Sequence, residues 1–251
     1  MESYIDAGVS LLTSLSSLAS PQLAIISTTL SPLISTGAKK ILPKSLAERE
    51  EIRVKQVFQD VIDKIKIKIL NGCIPRIDEA YYEYDNGIPN AQEVFEGVLL
   101  KAREEFQSKK MPFYSNFFAN LCFDERINIE HAQFLLSLIE RLTYRQLSVL
   151  AYLTDNKEVN TNRWDALFKI ASNSGLMNYY DFYSEYIDLY NTRLVTQTGN
   201  NPGFALGMSK TRISEMGLLL SNLLELQNIP GKDLENIKKQ FDAISAIISR
   251  I

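Results

Sequence analysis

The sequence predicts a mainly α-helical protein, and three observations carry that prediction. Apolar residues recur at three- and four-residue spacing through most of the 251 residues. Helix-start and helix-stop residues bracket those stretches. β-compatible sequence is confined to two short pieces, LVTQ (194–197) and one ending in TRI (211–213). A chain of this length with 45% apolar residues can bury a sizeable core in one large or two small domains.

The N-terminal region is predicted as an uncharged helical hairpin, residues 1–44. From Ala7 to Ala38 there is no charged residue; the 32 residues comprise 15 Ala, Val, Ile or Leu, 12 Ser or Thr, and a few others. Ile5, Val9, Leu12, Leu15 and Ala19 follow a helical spacing. Pro21 suits the first turn of a second helix, Pro32 is expected to kink or end it, and Gly37 is expected near a helix end. Residues 19–38 have the length of a membrane span. Leu23, Ile25, Ile26, Leu30, Leu33 and Ile34 favour insertion by roughly 0.3–0.6 kcal/mol each. The hydroxyl residues and two prolines oppose it, so the sum falls near zero. Three readings stay open: a spanning helix, a hairpin covered by protein in the chain itself or in an oligomer, and a segment that inserts only after a trigger. Val9, Leu12, Leu15, Leu23, Ile25, Ile26, Leu30, Leu33 and Ile34 are the candidate membrane or assembly residues.

A helical bundle is predicted over 45–142. Residues 39–70 hold nine Lys or Arg and five Asp or Glu, a net of +4. Such a segment suits an anionic membrane surface, or is simply a solvated helix face. The helix from about Leu46 to Leu70 puts Val54, Val57, Phe58, Val61, Ile62, Ile65 and Ile69 on one stripe and stops at Asn71-Gly72. A tyrosine-rich stretch follows from Ile74 to Gly87, with Tyr81, Tyr82 and Tyr84, expected to be irregular to helical. Asn90 and Glu93 have capping-box spacing for a helix to about Phe106. Pro112 suits the start of MPFYSNFFANLC. Asn128 is a cap for the next helix, whose apolar positions are Ile129, Phe134, Leu135, Leu138 and Leu142.

From Thr143 the pattern changes. Thr143 and Gln146 form a second capping box. Helices are expected at YRQLSVLAYL, at about 163–171 and at about 179–193. LVTQ, the turn-rich TGNNPG and TRI then make a ribbon, and Ser214 caps the apolar helix EMGLLLSNLLEL. Three helices, a two-stranded ribbon and a returning helix are the order of a winged-helix-like domain, here 143–229. The last segment, 230–251, is a helix with Leu234, Ile237, Phe241, Ile244, Ile248 and Ile251 in a/d spacing. That seam either packs on the chain's own body or serves self-association.

Catalytic patterns do not emerge. His131 is the single histidine, and Cys73 and Cys122 are the only cysteines, too few for an ordinary zinc site. Two separated cysteines point to a reducing compartment rather than a disulfide framework. Phosphate-cradling GxxxxGK[ST] and GxGxxG loops and a GxSxG elbow are missing from the sequence. The expectation is a non-enzymatic protein with no cofactor. A winged helix suggests DNA, yet residues 143–228 carry seven basic and eight acidic groups, a net of −1. The candidate recognition helix holds Asp181, Glu185 and Asp188, which repel phosphates. Lys210 and Arg212 on the wing are the only helpful cations, so nucleic acid is a disfavoured partner. Glu2 and Asp6 before the apolar run are the wrong sign for a secretory signal. The expected location is cytoplasmic, and peripheral to the inner membrane in the membrane-active reading.

KKMPFYSNFFANLC (109–122), LLSLIERLTYRQLSVLAYL (135–153) and the stretch from LVTQ to TRISEMGLLLSNLL (194–224) together resemble the Abi-alpha domain proteins of bacteria. That family is associated with abortive infection, in which an infected cell is stopped before phage can spread. The resemblance implies a winged-helix-like end and a part in anti-phage defence. The uncharged run 7–38 with its basic flank adds the expectation that such an effector acts on the membrane through that segment. The alternative of a different class is an oligomeric interaction or adaptor module that regulates a partner. A winged-helix transcriptional regulator is the remaining alternative.

Overall fold

The computed structural model describes residues 5–10, 30–41, 46–78, 81, 84–85, 87–155, 158–164, 177–198 and 210–250. Within these the protein is mainly helical with small antiparallel β pieces, and it divides into two compact units, Met1–Arg141 and Leu142–Ile251.

The first unit is built around one helix that touches four others. In order come α1 (Ser31–Ile41), α2 (Glu48–Leu70), a two-residue hairpin of β1 (Tyr84–Asp85) and β2 (Ile88–Pro89), α3 (Asn90–Glu104), α4 (Met111–Leu121) and α5 (Ile129–Arg141). Helix α3 packs on α1, α2, α4 and α5. Its wide apolar arc, Ala91, Val94, Phe95, Val98, Leu99 and Ala102, is buried, as expected of a helix covered on several sides. The buried residues of α2 are the seven of the predicted stripe, Val54 to Ile69. Full burial of such side chains contributes about 1.5–3 kcal/mol each. The α2 end is a Schellman cap: Gly72 stands at φ +83°, its N–H donates to Ile69 O, and Cys73 N–H donates to Lys68 O. Asn128 Oδ1 accepts from His131 N–H at 2.9 Å and starts α5 as predicted.

Where it is described, the N-terminal stretch buries one side in the first unit and leaves Ala7, Ser10, Pro32 and Thr36 exposed. Ile5 is buried in the helical residues 5–10, and a Cβ on Gly8 would lie 2.8–2.9 Å from Ile62 and Phe58 of α2. Leu30, Leu33, Ile34 and Ala38 are buried, with α1 lying on α3. Val9 is half-buried. Leu12, Leu15, Leu23, Ile25 and Ile26 lie outside the described residues. No helix among the described residues is long and apolar enough to cross a membrane.

Several local expectations need correction. Pro32 is the second residue of α1, where a missing N–H is harmless; Leu30 before it is π-helical, and the helix expected to be kinked or ended at Pro32 lies outside the described residues. Gly37 lies inside α1, where a Cβ would meet the Phe95 ring at 3.0 Å; it is a close-approach glycine, not a stop. The N-cap of α3 is Pro89, with no side-chain cap bond, because β2 leads straight into the helix and makes Asn90 its first residue. Phe134 is 48% exposed, since the buried side of α5 runs through Ala132, Leu135, Leu136, Leu138 and Ile139. The hairpin at 84–89, turning at Gly87 with φ +82°, lies at the end of the stretch expected to be irregular to helical.

The second unit is organised around α6 (Tyr144–Asp155), which packs on each later α-helix among the described residues. These are α7 (Met177–Asn191), α8 (Glu215–Leu224) and α9 (Gly231–Ile248), with β3 (Val159–Asn160), β4 (Val195–Thr198) and β5 (Lys210–Ile213) forming one sheet. The capping box opening α6 is as predicted: Gln146 N–H donates to Thr143 Oγ1 at 3.1 Å, and Thr143 N–H donates to Gln146 Oε1 at 2.9 Å. The sheet is antiparallel in the order β3-β5-β4, with Val159 opposite Thr211 and Val195 opposite Ile213. Its third strand, β3, adds to the two-stranded ribbon that the sequence predicts. The helix expected from Arg163 does not begin there: Arg163 and Trp164 stand in a turn, with Arg163 at φ +62°. The rest of that stretch, and Gly199 to Gly203 of the ribbon tip, lie outside the described residues.

The core of this unit is aromatic. Trp164 lies against Phe182, Tyr183, Tyr186 and Phe241 with ring centroids 5.1–6.5 Å apart. Phe241 stacks on Tyr152 of α6 at 5.3 Å. Ile237, Phe241, Ile244 and Ile248 of the a/d seam are therefore buried in the chain's own unit, and Leu234 is half-buried. Ile251 lies outside the described residues. Of the two readings of that seam, the structure places these four side chains in the intramolecular one.

Candidate functional site

Helix α7 presents two different faces. Phe182, Tyr183, Tyr186 and Leu189 point into the aromatic core, and Asp181 and Asp188 are exposed on the opposite side. Their seven-residue spacing puts both carboxylates on one stripe, two turns apart. The third acidic residue of the helix is used internally: Glu185 accepts from Arg145 Nε at 2.5 Å and from Thr143 Oγ1 at 3.3 Å. So the outward face is acidic and carries no compensating cation of its own.

The end of α7 turns the chain into the sheet. Arg193 N–H donates to Tyr190 O and Leu194 N–H to Leu189 O, a Schellman arrangement with Arg193 at φ +60°. This conformation places Arg193 at the edge of an open cleft of about 1020 Å³. Thr196 of β4, Arg212 of β5, Glu158, Ser214 and Glu215 also line it. Charge in the cleft is mixed: two arginines face two carboxylates. Lys210 Nζ is 3.4 Å from Glu158, so one of the two β5 cations is already paired, and Arg212 is exposed. Lys210 and Arg212 are thus brought to neighbouring places, but not as a basic surface. Glu158 and Arg193 carry no signal in the sequence, because their roles arise from the strand β3 and from the cap of α7.

Ser214 is occupied as a cap, accepting from Gly217 N–H at 3.0 Å and donating to Arg193 O at 2.6 Å. Cys122 is buried, and burial pushes its thiol up to about 12, away from the thiolate a nucleophile needs. Among the described residues no group of His, Cys, Asp and Glu could hold a metal ion.

Two buried ionic clusters of the first unit are structural in form. Arg76 is bidentate on Asp78 at 2.6 and 2.7 Å, donates to Ile127 O at 2.8 Å and covers the Tyr81 ring at 4.1 Å. The Arg76 guanidinium holds the Asp78 carboxyl below its usual range. Lys110, 2% exposed, lies 2.5 Å from Glu105 Oε2 and donates to Glu140 O at 3.1 Å. Tyr114 donates to the same Glu105 oxygen at 3.0 Å; burial, then the neighbouring carboxylate, raises its phenol well above the usual value. Each cluster is closed by protein partners, and each joins loop to helix.

Compared with known proteins, the chain matches no family model, no curated protein and no solved structure.

Proposed function

We propose that this chain is a non-enzymatic protein of bacterial anti-phage defence, in which the second unit is a winged-helix-like module that binds protein through α7. The order α6, β3, α7, β4, β5, α8, with the strands arranged β3-β5-β4, supports the winged-helix reading. In that fold α7 occupies the place of the helix that enters a DNA groove. The observation that carries the functional reading is its outward face, Asp181 and Asp188. Phosphate neutralisation supplies most non-specific affinity for duplex DNA, and this face opposes it. A basic or polar protein surface is the complementary partner. The resemblance of 109–122, 135–153 and 194–224 to Abi-alpha proteins supports the defence context.

The test is fluorescence anisotropy of a short labelled duplex at low ionic strength with the full chain. The reading predicts a flat titration. Saturable, salt-sensitive binding that disappears in Lys210→Ala/Arg212→Ala would replace it with the transcriptional-regulator alternative.

A further inference from the structure

We propose that the cleft beside the β3-β5-β4 sheet binds a nucleoside phosphate, with its phosphates on Arg193 and Arg212. Three donor side chains that line it, Arg193, Arg212 and Thr196, make no hydrogen bond or ion pair among the described residues. The sheet brings them together. Arg212 stands opposite Thr196 in the β4–β5 register, and Ser214, two residues on, donates to Arg193 O at 2.6 Å. Arg193 is held at φ +60°, a conformation that glycine adopts at lower cost, and its side chain gives the fold no contact in return. A strained arginine with no internal partner is suited to an external one.

Net charge does not select the ligand. Glu158 and Glu215 line the cleft with the two arginines, Lys210 is paired with Glu158, and Asp155 follows the lining residue Thr154. The distribution of the free groups selects it. Guanidinium forks bind phosphate and carboxylate. Three separate donors, from the end of α7, from β4 and from β5, suit the three terminal oxygens of a phosphate better than the two of a carboxylate. Glu158 is held by Lys210, so Glu215, exposed and without an ion pair, is the free acceptor. A carboxylate in that place repels a bare anion and accepts from hydroxyl or amino groups, as an acidic residue does from ribose. Met216 and Leu218, the latter 42% exposed, offer an apolar wall, and a thioether favours the edge of an aromatic ring. Arg193, Thr196 and Ser214 also line an adjoining recess of about 450 Å³ with Tyr190 and Asn191. The phosphates thus lie at the boundary of the two recesses and the base against Met216 and Leu218 in the larger one. This inference rests on the cleft and not on the outward face of α7, so it stands or falls apart from the reading of that face.

The experiment is isothermal titration calorimetry of the full chain with ADP, GDP, CDP and UDP, each up to about 1 mM, and with pyrophosphate as the probe that lacks a nucleoside. At least one nucleotide is expected to bind, and to bind roughly tenfold or more tightly than pyrophosphate. Arg193→Gly/Arg212→Gln is expected to weaken that nucleotide roughly tenfold or more. Its circular dichroism spectrum should stay unchanged, because glycine suits the backbone at 193 and Arg212 is exposed. Glu215→Gln is expected to weaken the nucleotide and to leave pyrophosphate bound as before or more tightly. The proposal is overturned if no nucleotide binds in that range, or if the double arginine variant binds as the native chain does. It is also overturned if pyrophosphate binds as tightly as any nucleotide, which would leave the carboxylate and the apolar wall without a role.

Discussion

Gly217 lies so close to Leu194 that a Cβ on it would stand 2.1 Å from the Leu194 carbonyl oxygen. The same carbonyl accepts from Ser214 N–H at 3.0 Å. The start of α8 is thus seated directly on the chain leaving α7, and only a residue without a side chain permits it. Replacing Gly217 with Ala is expected to destabilise the second unit by about 1–3 kcal/mol, the usual range for forced overpacking. Gly231→Ala is the control: a Cβ added there would meet nothing within 4 Å, and Gly231 opens α9. There the effect should be neutral or stabilising by about 0.4–1 kcal/mol. Urea unfolding of both variants checks the contrast, and equal losses would refute it.

Arg193 occupies a left-handed position at the end of α7 that glycine fills at lower cost. Arg193→Gly should stabilise the unit by about 1 kcal/mol, the penalty an L residue carries there. Thermal unfolding reads this directly, and a loss of stability would mean that the arginine side chain makes a contact worth more than the strain.

The Lys110–Glu105 pair is the most buried ion pair described in the first unit, at 2% and 4% side-chain exposure. Removing one partner leaves a buried charge, so Glu105→Gln or Lys110→Met alone should cost about 3–5 kcal/mol. The double replacement should cost clearly less than the sum of the two. A double-mutant cycle in urea tests the coupling; strict additivity would show that the two groups act independently.

Tyr144 donates to Asp233 Oδ2 at 2.8 Å, fastening α6 to the first turn of α9. Partial burial, then that bond and the aspartate charge, push the phenol up to about 12. The folded value lies above the unfolded one of about 10, so its contribution is complete below pH 10 and fades as pH rises through 12. The stability difference between the native chain and Tyr144→Phe should therefore hold constant up to about pH 9 and shrink between 10 and 12. Denaturant titrations at stepped pH measure it. A difference that first shrinks in the acid range would assign it to other groups.

Features decided by neighbours in sequence were legible before the fold. The caps at Thr143–Gln146, Asn128, Asn71-Gly72 and Ser214 need only residues one to three apart, and the stripe of α2 follows from helical periodicity. Features decided by distant partners were not. Strand β3 is two residues long, and its pairing partner Thr211 lies 52 positions after Val159. Gly37 reads as a helix stop until Phe95 is placed against it. The seam of α9 has the same spacing whether it meets its own core or another chain; only Trp164 and Phe182 around Phe241 decide it. The cleft depends on Glu158 and Arg193, which both line it although they lie 35 positions apart, and periodicity reports neither.

The measurement closest to the central claim is phage plating on bacteria that express the full chain or Asp181→Lys/Asp188→Lys, with folding checked by circular dichroism. The native chain is expected to lower plating, and the charge-reversed α7 face to lose this protection while remaining folded. Equal protection by the folded, charge-reversed chain, or no protection by either, would contradict it.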